Sequence, residues 1–122
     1  MNCVLQLTAL VFDNIIFKRL GMHSNNDLDI SFSASIGTNM ADKNIKKVSV
    51  KVIGEKADEY SFEVQASGFF AYEGNAEDSI IRQNAVAIVM PYVRSEVSLL
   101  TAQPGVESVV LPPFNIAEMM EK

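Results

Sequence analysis

The sequence has only one cysteine and one histidine among its 122 residues. The lone Cys3 cannot form an intramolecular disulfide, so nothing in the sequence requires an oxidising compartment. Hydrolytic and acyl-transfer enzymes need a nucleophile held by a base, and no carboxylate is placed to orient His23, which lies in a polar segment. A metal site at His23, Asp27 and Asp29 would combine a loop residue with two residues on the solvent-facing side of a strand. We therefore interpret these three as ordinary surface residues. The sequence therefore predicts a protein that is not an enzyme.

Positive charge is scarce in the second half of the chain. Residues 61–122 contain eight acidic residues but only Arg82, Arg94 and Lys122 as basic ones, and the formal net charge of the chain is −5. Nucleic-acid binding needs clustered basic residues that neutralise phosphates, whereas the lysines of residues 43–51 are diluted by an aspartate and alternate along a strand. No glycine-rich phosphate loop follows a strand. We therefore expect no nucleic-acid partner and no cofactor.

No hydrophobic run is long enough to cross a bilayer. Arg82 and Arg94 bracket eleven residues of the most apolar segment, whereas a membrane-spanning helix needs about 20. Near the start of the chain, no basic segment precedes the apolar residues and Asp13 interrupts them, which is wrong for a signal peptide. We expect a cytoplasmic protein without membrane insertion.

Four segments with apolar residues at every second position predict β-strands with one dry and one wet face. These positions are Leu5, Leu7, Ala9 and Val11, then Leu28, Ile30, Phe32, Ala34 and Ile36, then Val48, Val50 and Val52, and finally Tyr60, Phe62, Val64 and Ala66. The first pattern slips at residues 12–14, which indicates a bulge. No helix fits between any two segments, so the sheet should be antiparallel, with the third and fourth strands forming a hairpin.

A long helix should follow the strands. Helix-forming residues occupy 76–102, until a proline-glycine pair ends the pattern, and Asn75 can cap the start. Pro91 should kink this helix or divide it. A linker then leads to a short second helix with Asn115 as its N-cap. Residues 1–122 are therefore expected to form one α+β domain, with a four-stranded antiparallel sheet followed by one long and one short C-terminal helix.

The middle of the long helix is apolar on every side. Residues 85–90 read Ala-Val-Ala-Ile-Val-Met, and six consecutive residues at about 100° each surround a helix axis. A lone sheet would leave half of these side chains in water. Because the run is too short for a membrane, the second covering surface should be another copy of the chain.

Three separated blocks of the sequence resemble SecB export chaperones. They are Glu63-Val64-Gln65 with Gly68-Phe69-Phe70, then Met90-Pro91-Tyr92-Val93-Arg94-Ser95-Glu96, and then Leu111-Pro112-Pro113-Phe114-Asn115. The blocks occur in the family's order and cover residues 60–122 closely, whereas residues 20–58 match in pattern only. The resemblance implies a SecB-like fold and an ATP-independent chaperone that holds unfolded polypeptides, either preproteins or an antitoxin.

The resemblance also implies where such clients bind, in grooves between the short helix, the linker and the body of the domain. Carried over by position, the groove residues are Phe17, Phe70, Val110, Leu111, Phe114, Ile116, Met119 and Met120. The two methionines and Ile116 form an adaptable apolar stripe. From the pattern alone, the same stripe can serve to dock the short helix on the core.

The resemblance to SecB chaperones also implies a homotetramer, built as a dimer of dimers, whose long helices lie between sheets. This agrees with the burial from two sides that the helix itself predicts. The predicted oligomer interface comprises Ile81, Ala85, Ile88, Val89, Tyr92, Phe62 and Val64.

Relatives that pass clients to the SecA motor use an acidic surface of the sheet. Glu63 is kept as a possible docking residue, but Asn14 and Lys18 stand near the end of the first strand. These departures argue against motor coupling and fit a stand-alone chaperone, or one dedicated to a toxin–antitoxin pair.

One alternative of another class is a small-molecule carrier or enzyme with a pocket between the sheet and the long helix. Such a pocket would need a perturbed acid or base among apolar residues. The predicted inner faces offer only Tyr60 and Tyr92 as polar groups, which argues against this alternative.

Overall fold

The alternating apolar segments form four strands, and the apolar segment after them forms a helix. The computed structural model describes residues 4–38, 45–73 and 78–111. Its elements are β1 (Val4–Arg19), β2 (Leu28–Thr38), β3 (Ile45–Lys56), β4 (Tyr60–Glu73) and α1 (Asp78–Leu100). The strands form one antiparallel sheet in the order β1-β4-β3-β2, so the predicted sheet, its hairpin and the long helix are confirmed. The predicted cap at Asn75 and the short second helix lie outside the described residues.

One face of the sheet packs against α1, because β3 and β4 place a side chain on that face at every second residue. The buried strand residues are Val48, Val50, Val52, Tyr60, Phe62, Val64, Ala66 and Phe70, and those of α1 are Ile81, Ala85, Val86, Val89, Met90, Val93 and Val97. Each of the larger side chains contributes about 1.5–3 kcal/mol by leaving water. This single apolar layer therefore dominates the stability of the fold.

Strand β1 contains two bulges, and only one of them is predicted by the sequence. The pairing of β1 with β4 shifts between Phe12 and Asn14, which confirms the predicted slip, and also between Leu7 and Ala9. The earlier shift moves the following residues to the opposite face. Leu10 and Phe12 consequently pack against the core, and the expectation from the alternation that Ala9 and Val11 face inward is wrong.

Helix α1 is continuous through Pro91, so of the two predicted effects of this proline the division into two segments does not occur, and the kink stays a prediction. Within residues 85–90, only Ala87 and Ile88 are exposed in a single copy. The exposed fraction, two of six side chains, is therefore smaller than the expected half. The reason is that the four buried side chains, at positions 85, 86, 89 and 90, lie within about 140° of each other around the helix and therefore on one side of it.

The segment between β1 and β2, residues 20–27, must cross the β3–β4 hairpin, because β1 and β2 lie at opposite ends of the strand order. Its first two residues donate their backbone N–H groups to the carbonyl of Glu59 at 2.8 and 3.1 Å. The Ser24 N–H donates to Glu59 Oε1 at 2.9 Å, and Lys56 Nζ lies 3.1 Å from the same oxygen. Glu59 is 1% exposed. The buried carboxylate thus fastens the crossing segment to the hairpin turn.

We predict that replacing Gly54 by alanine destabilises the fold, whereas replacing Gly37 by alanine does not. A β-carbon at Gly54 would overlap the ring of Phe62 on the neighbouring strand, and Phe62 is 2% exposed and cannot move aside. Overpacking of this kind costs about 1–3 kcal/mol. A β-carbon at Gly37 meets nothing within 4 Å, so this variant is a matched control. Urea unfolding of both variants checks the prediction, and equal midpoints would contradict it.

Candidate functional site

The chain beyond α1 runs back along the helix that precedes it. Ser98 Oγ donates to the carbonyl of Val109 at 2.9 Å, and the Val109 N–H donates to Thr101 Oγ1 at 2.8 Å. Arg94 donates from both Nε and Nη2 to the carbonyl of Leu111, each at 3.2 Å. Side chains of the helix thereby hold the main chain of the linker, which we define as residues 103–111.

An open cleft with both apolar and polar walls lies between α1 and the linker, and we call it the helix–linker cleft. Its volume is about 600 Å³, within the range of ligand sites. The residues that line it are Pro91, Arg94, Ser95, Ser98, Leu99, Val110 and Leu111. Leu99 is 69% exposed and Val110 is 78% exposed. Large apolar side chains thus face solvent on both walls, where an apolar partner could cover them.

The predicted groove residues do not form one site within the described part of the chain. Val110 lines the helix–linker cleft, and Leu111 lies beneath it, 2% exposed. Phe17 stacks on Tyr60 with 5.4 Å between ring centroids, while Phe70 is fully buried and pairs with Leu7 near the other end of β1. Because Phe17 pairs with residue 62 of β4, it lies about 26 Å along the strand from Phe70.

The other four predicted groove residues, Phe114, Ile116, Met119 and Met120, lie outside the described residues.

Sequence reasoning missed Pro91 and Leu99 as cleft residues. A signal existed, because positions 91 and 99 are eight residues apart, so their side chains point within about 80° of each other around a helix.

The outward side of α1 carries exposed apolar side chains, and we call it the outer helix face. It comprises Ile80, Ala87, Ile88 and Tyr92. Ile88 is 36% exposed and Tyr92 is 47% exposed. Of the predicted interface residues, only these two reach the surface. The others lie in the core of a single copy and are Phe62, Val64, Ile81, Ala85 and Val89.

Glu63 lies on the sheet face that points away from α1. Its carboxylate is 3.9 Å from Lys51 Nζ, and Asn14 Nδ2 donates to it at 3.4 Å. Exposed isoleucines stand beside it on both neighbouring strands, at positions 16 and 53. A nearby lysine therefore offsets part of the negative charge, and a role for Glu63 in docking a motor stays a prediction.

A second cleft, which we call the sheet-end cleft, lies on the other side of the linker. It has a volume of about 300 Å³. Its lining residues are Asn26, Asp27, Leu28, Lys56, Glu59, Tyr60, Glu107, Ser108 and Val109. Burial raises the pKa of the Tyr60 hydroxyl above its usual value. No group of three or more histidine, cysteine, aspartate or glutamate side chains in the described residues could hold a metal ion.

Glu59, at the edge of the sheet-end cleft, has a lowered pKa. The hydrogen bond from the Ser24 N–H lowers the pKa most, burial opposes this effect, and Lys56 and His23 lower the pKa further. A carboxyl whose pKa is lower in the folded state than in the unfolded state stabilises the fold above the unfolded pKa. This stabilisation is lost as the pH falls through the folded pKa.

We predict that Glu59→Gln lowers the urea midpoint at pH 7 and that this effect is smaller near pH 3. At pH 7 the amide cannot replace the charge that Ser24 and Lys56 stabilise. At about pH 3 the carboxyl is protonated in the unfolded state, so this advantage is already reduced, and it is lost completely once the pH falls below the folded pKa. Glu55→Gln, at an exposed position of the same strand end, is the control. If the midpoint difference were the same at both pH values, the charge of the Glu59 carboxylate would not be what stabilises the fold.

No helix among the described residues has the length and apolar character needed to cross a membrane. The long helix instead divides its apolar side chains between the core and the outer helix face.

Comparison with known proteins gives one sequence relative and one structural neighbour of interest. No protein-family model matches the chain. The uncharacterized protein MJ0357 of Methanocaldococcus jannaschii is 35% identical over 92% of this chain and 83% of its own length. The SecB-like chaperone Rv1957 of Mycobacterium tuberculosis, in complex with a ChAD peptide from the Rv1956 HigA1 antitoxin, has a TM-score of 0.71. It is 15% identical and covers 88% of this chain and 86% of its own. At this identity the likeness shows the fold alone, which is SecB-like as the sequence predicts.

Proposed function

This chain belongs to the family of the uncharacterized Methanocaldococcus jannaschii protein, and we propose that it is a chaperone that holds unfolded polypeptides on apolar surfaces. The observation that supports this proposal most is the helix–linker cleft in a SecB-like fold. Leu99 and Val110 expose most of their apolar surface in that cleft. Exposed apolar surface of this kind marks sites where other polypeptides bind.

The proposed client is an extended segment of an unfolded protein. Such a segment presents apolar side chains that a folded protein hides, so the exposed Leu99 and Val110 side chains select unfolded chains without reading a sequence code. The structural neighbour was solved with a peptide of an antitoxin. This supports a polypeptide client, and preproteins and antitoxins are both candidates.

We propose that holding needs neither ATP nor catalysis. The sequence carries no phosphate-binding loop, and burial of apolar surface is sufficient to drive binding. Release then follows from a competing binding partner or from client folding. An export motor of the SecA type is not part of the proposal, since Glu63 lies near Lys51 on a face of mixed charge.

The proposed assembly is a homotetramer built as a dimer of dimers. Support comes from the outer helix face, where Ile88 and Tyr92 remain exposed in a single copy. A second copy that packs on this face would remove both side chains from water. The predicted cytoplasmic location stays a prediction.

Suppression of aggregation tests the proposed function. We expect the protein, without nucleotide, to reduce light scattering by a denatured reporter protein when the two are mixed at near-equal amounts. An unrelated acidic protein of similar mass serves as the control. Scattering that stays unchanged at every ratio would argue against a holding function, and a small ligand that copurifies with the protein would favour the carrier alternative.

A further inference from the structure

The linker is held to α1 through its main chain. Three side chains contact the backbone of Val109 and Leu111. They belong to Arg94, Ser98 and Thr101, which are four and three residues apart. Residues with this spacing lie on one side of a helix. Because the contacts use main-chain atoms, they fix the path of the linker and leave the Val110 side chain free to face the helix–linker cleft.

Thr101 has the central place in this arrangement. Its residue is fully buried, and its hydroxyl donates to the carbonyl of Val97 at 2.8 Å while accepting the Val109 N–H at 2.8 Å. Valine has nearly the same shape but cannot accept a hydrogen bond. A valine at this position would leave the Val109 N–H without its acceptor, which is costly where water has little access.

We propose that Thr101 is a positioning residue for client binding, which fixes the linker as one wall of the helix–linker cleft. The inference rests on the proposed function. A wall that is already in place before the client arrives does not have to be ordered during binding, and such preorganisation strengthens affinity. Ser98 supports the same wall through the neighbouring carbonyl of Val109, and Ser108 Oγ donates in return to the carbonyl of Ser98 at 3.2 Å.

The test compares Thr101→Val with Thr101→Ser, which keeps the hydroxyl. The probe is a fluorescent peptide of alternating leucine and serine, and its dissociation constant is measured beside hydrogen exchange at the Val109 amide. For Thr101→Val we expect binding weaker by about tenfold and exchange faster by about tenfold, as the loss of one buried hydrogen bond implies. Thr101→Ser should stay within about twofold of the wild type in both measurements, because the hydroxyl is retained.

Three outcomes separate the inference from the proposed function. Faster exchange with unchanged peptide affinity in Thr101→Val would overturn the positioning role and leave the proposed function intact. A wild-type protein that binds neither this peptide nor an unfolded protein would overturn both. Should Thr101→Val fail to fold, Ser98→Ala replaces it, since Ser98 is only partly buried. We then expect peptide binding weaker by about threefold, as one weaker hydrogen bond implies, and unchanged affinity would overturn the inference.

Discussion

Replacing both Ile88 and Tyr92 by arginine is expected to convert the proposed assembly into folded single copies. Both side chains lie on the outer helix face, at 36% and 47% exposure, so the substitutions leave the core of each copy intact. A buried interface residue of this size contributes roughly 2 kcal/mol or more, and two-fold symmetry makes each substitution count twice. The dissociation constant between copies should rise at least about a hundredfold.

Sedimentation velocity over a range of concentrations measures this change. Ser33→Arg with Ser35→Arg, at exposed positions of β2, adds the same charge on the other side of the sheet and should leave the assembly unchanged. A double variant of Ile88 and Tyr92 that keeps the wild-type mass would show that copies do not meet at this face. If the wild-type protein were a single copy at every concentration, the proposed tetramer would be contradicted.

The second large effect is expected for client binding. Leu99→Asp combined with Val110→Asp places a charge on each wall of the helix–linker cleft, where the wild-type side chains are 69% and 78% exposed. Covering a carboxylate with an apolar client costs several kcal/mol, because the charge loses its water. The affinity for a permanently unfolded protein should therefore fall at least about a hundredfold.

The control for that variant is Met22→Asp, since Met22 is 83% exposed and lies in the segment that crosses the hairpin. It should bind the unfolded protein within about twofold of the wild type, as expected for a surface change outside the site. Sedimentation of both variants shows whether the assembly is kept. Equal loss of affinity in both variants would mean that clients bind through general exposed apolar surface instead of the cleft.

The strand residues that face the core could be predicted wherever the alternation of apolar and polar residues matches the pairing register of the sheet. In β2, Phe32, Ala34 and Ile36 alternate with serines, and the apolar residues do face the core. In β1 the alternation through Ala9 and Val11 is interrupted by the apolar Leu10 and Phe12, and the chain bulges and turns these two residues inward. The larger side chains gain more from burial than alanine and valine do, and a pattern of apolar against polar residues does not register that difference.

The surface of the helix could be predicted only in part. Apolarity around its whole circumference indicated a second covering surface, and Ile88 and Tyr92 are indeed left exposed by a single copy. The same argument placed Ile81, Ala85 and Val89 at an interface, although they lie in the core. Composition shows that both sides of a helix are apolar, but which side meets the sheet depends on how the helix is rotated.

The linker wall of the helix–linker cleft could not be predicted from periodicity. Of the two predicted groove residues in the linker, Val110 is exposed, whereas Leu111 is buried. The difference arises because Arg94, Ser98 and Thr101 bind the main chain of the linker. Contacts between a side chain and the backbone of a distant residue leave no regular trace in a sequence.

Site-specific photocrosslinking tests the central claim most directly. A photoreactive phenylalanine analogue is placed at Val110 in the helix–linker cleft, and in separate proteins at Met22 and at Ser33, and each is illuminated with a labelled, permanently unfolded protein. The account predicts an adduct from position 110, little from positions 22 and 33, and none from position 110 when the client is offered in its native form. Adducts of equal yield from all three positions, or none from position 110, would contradict it.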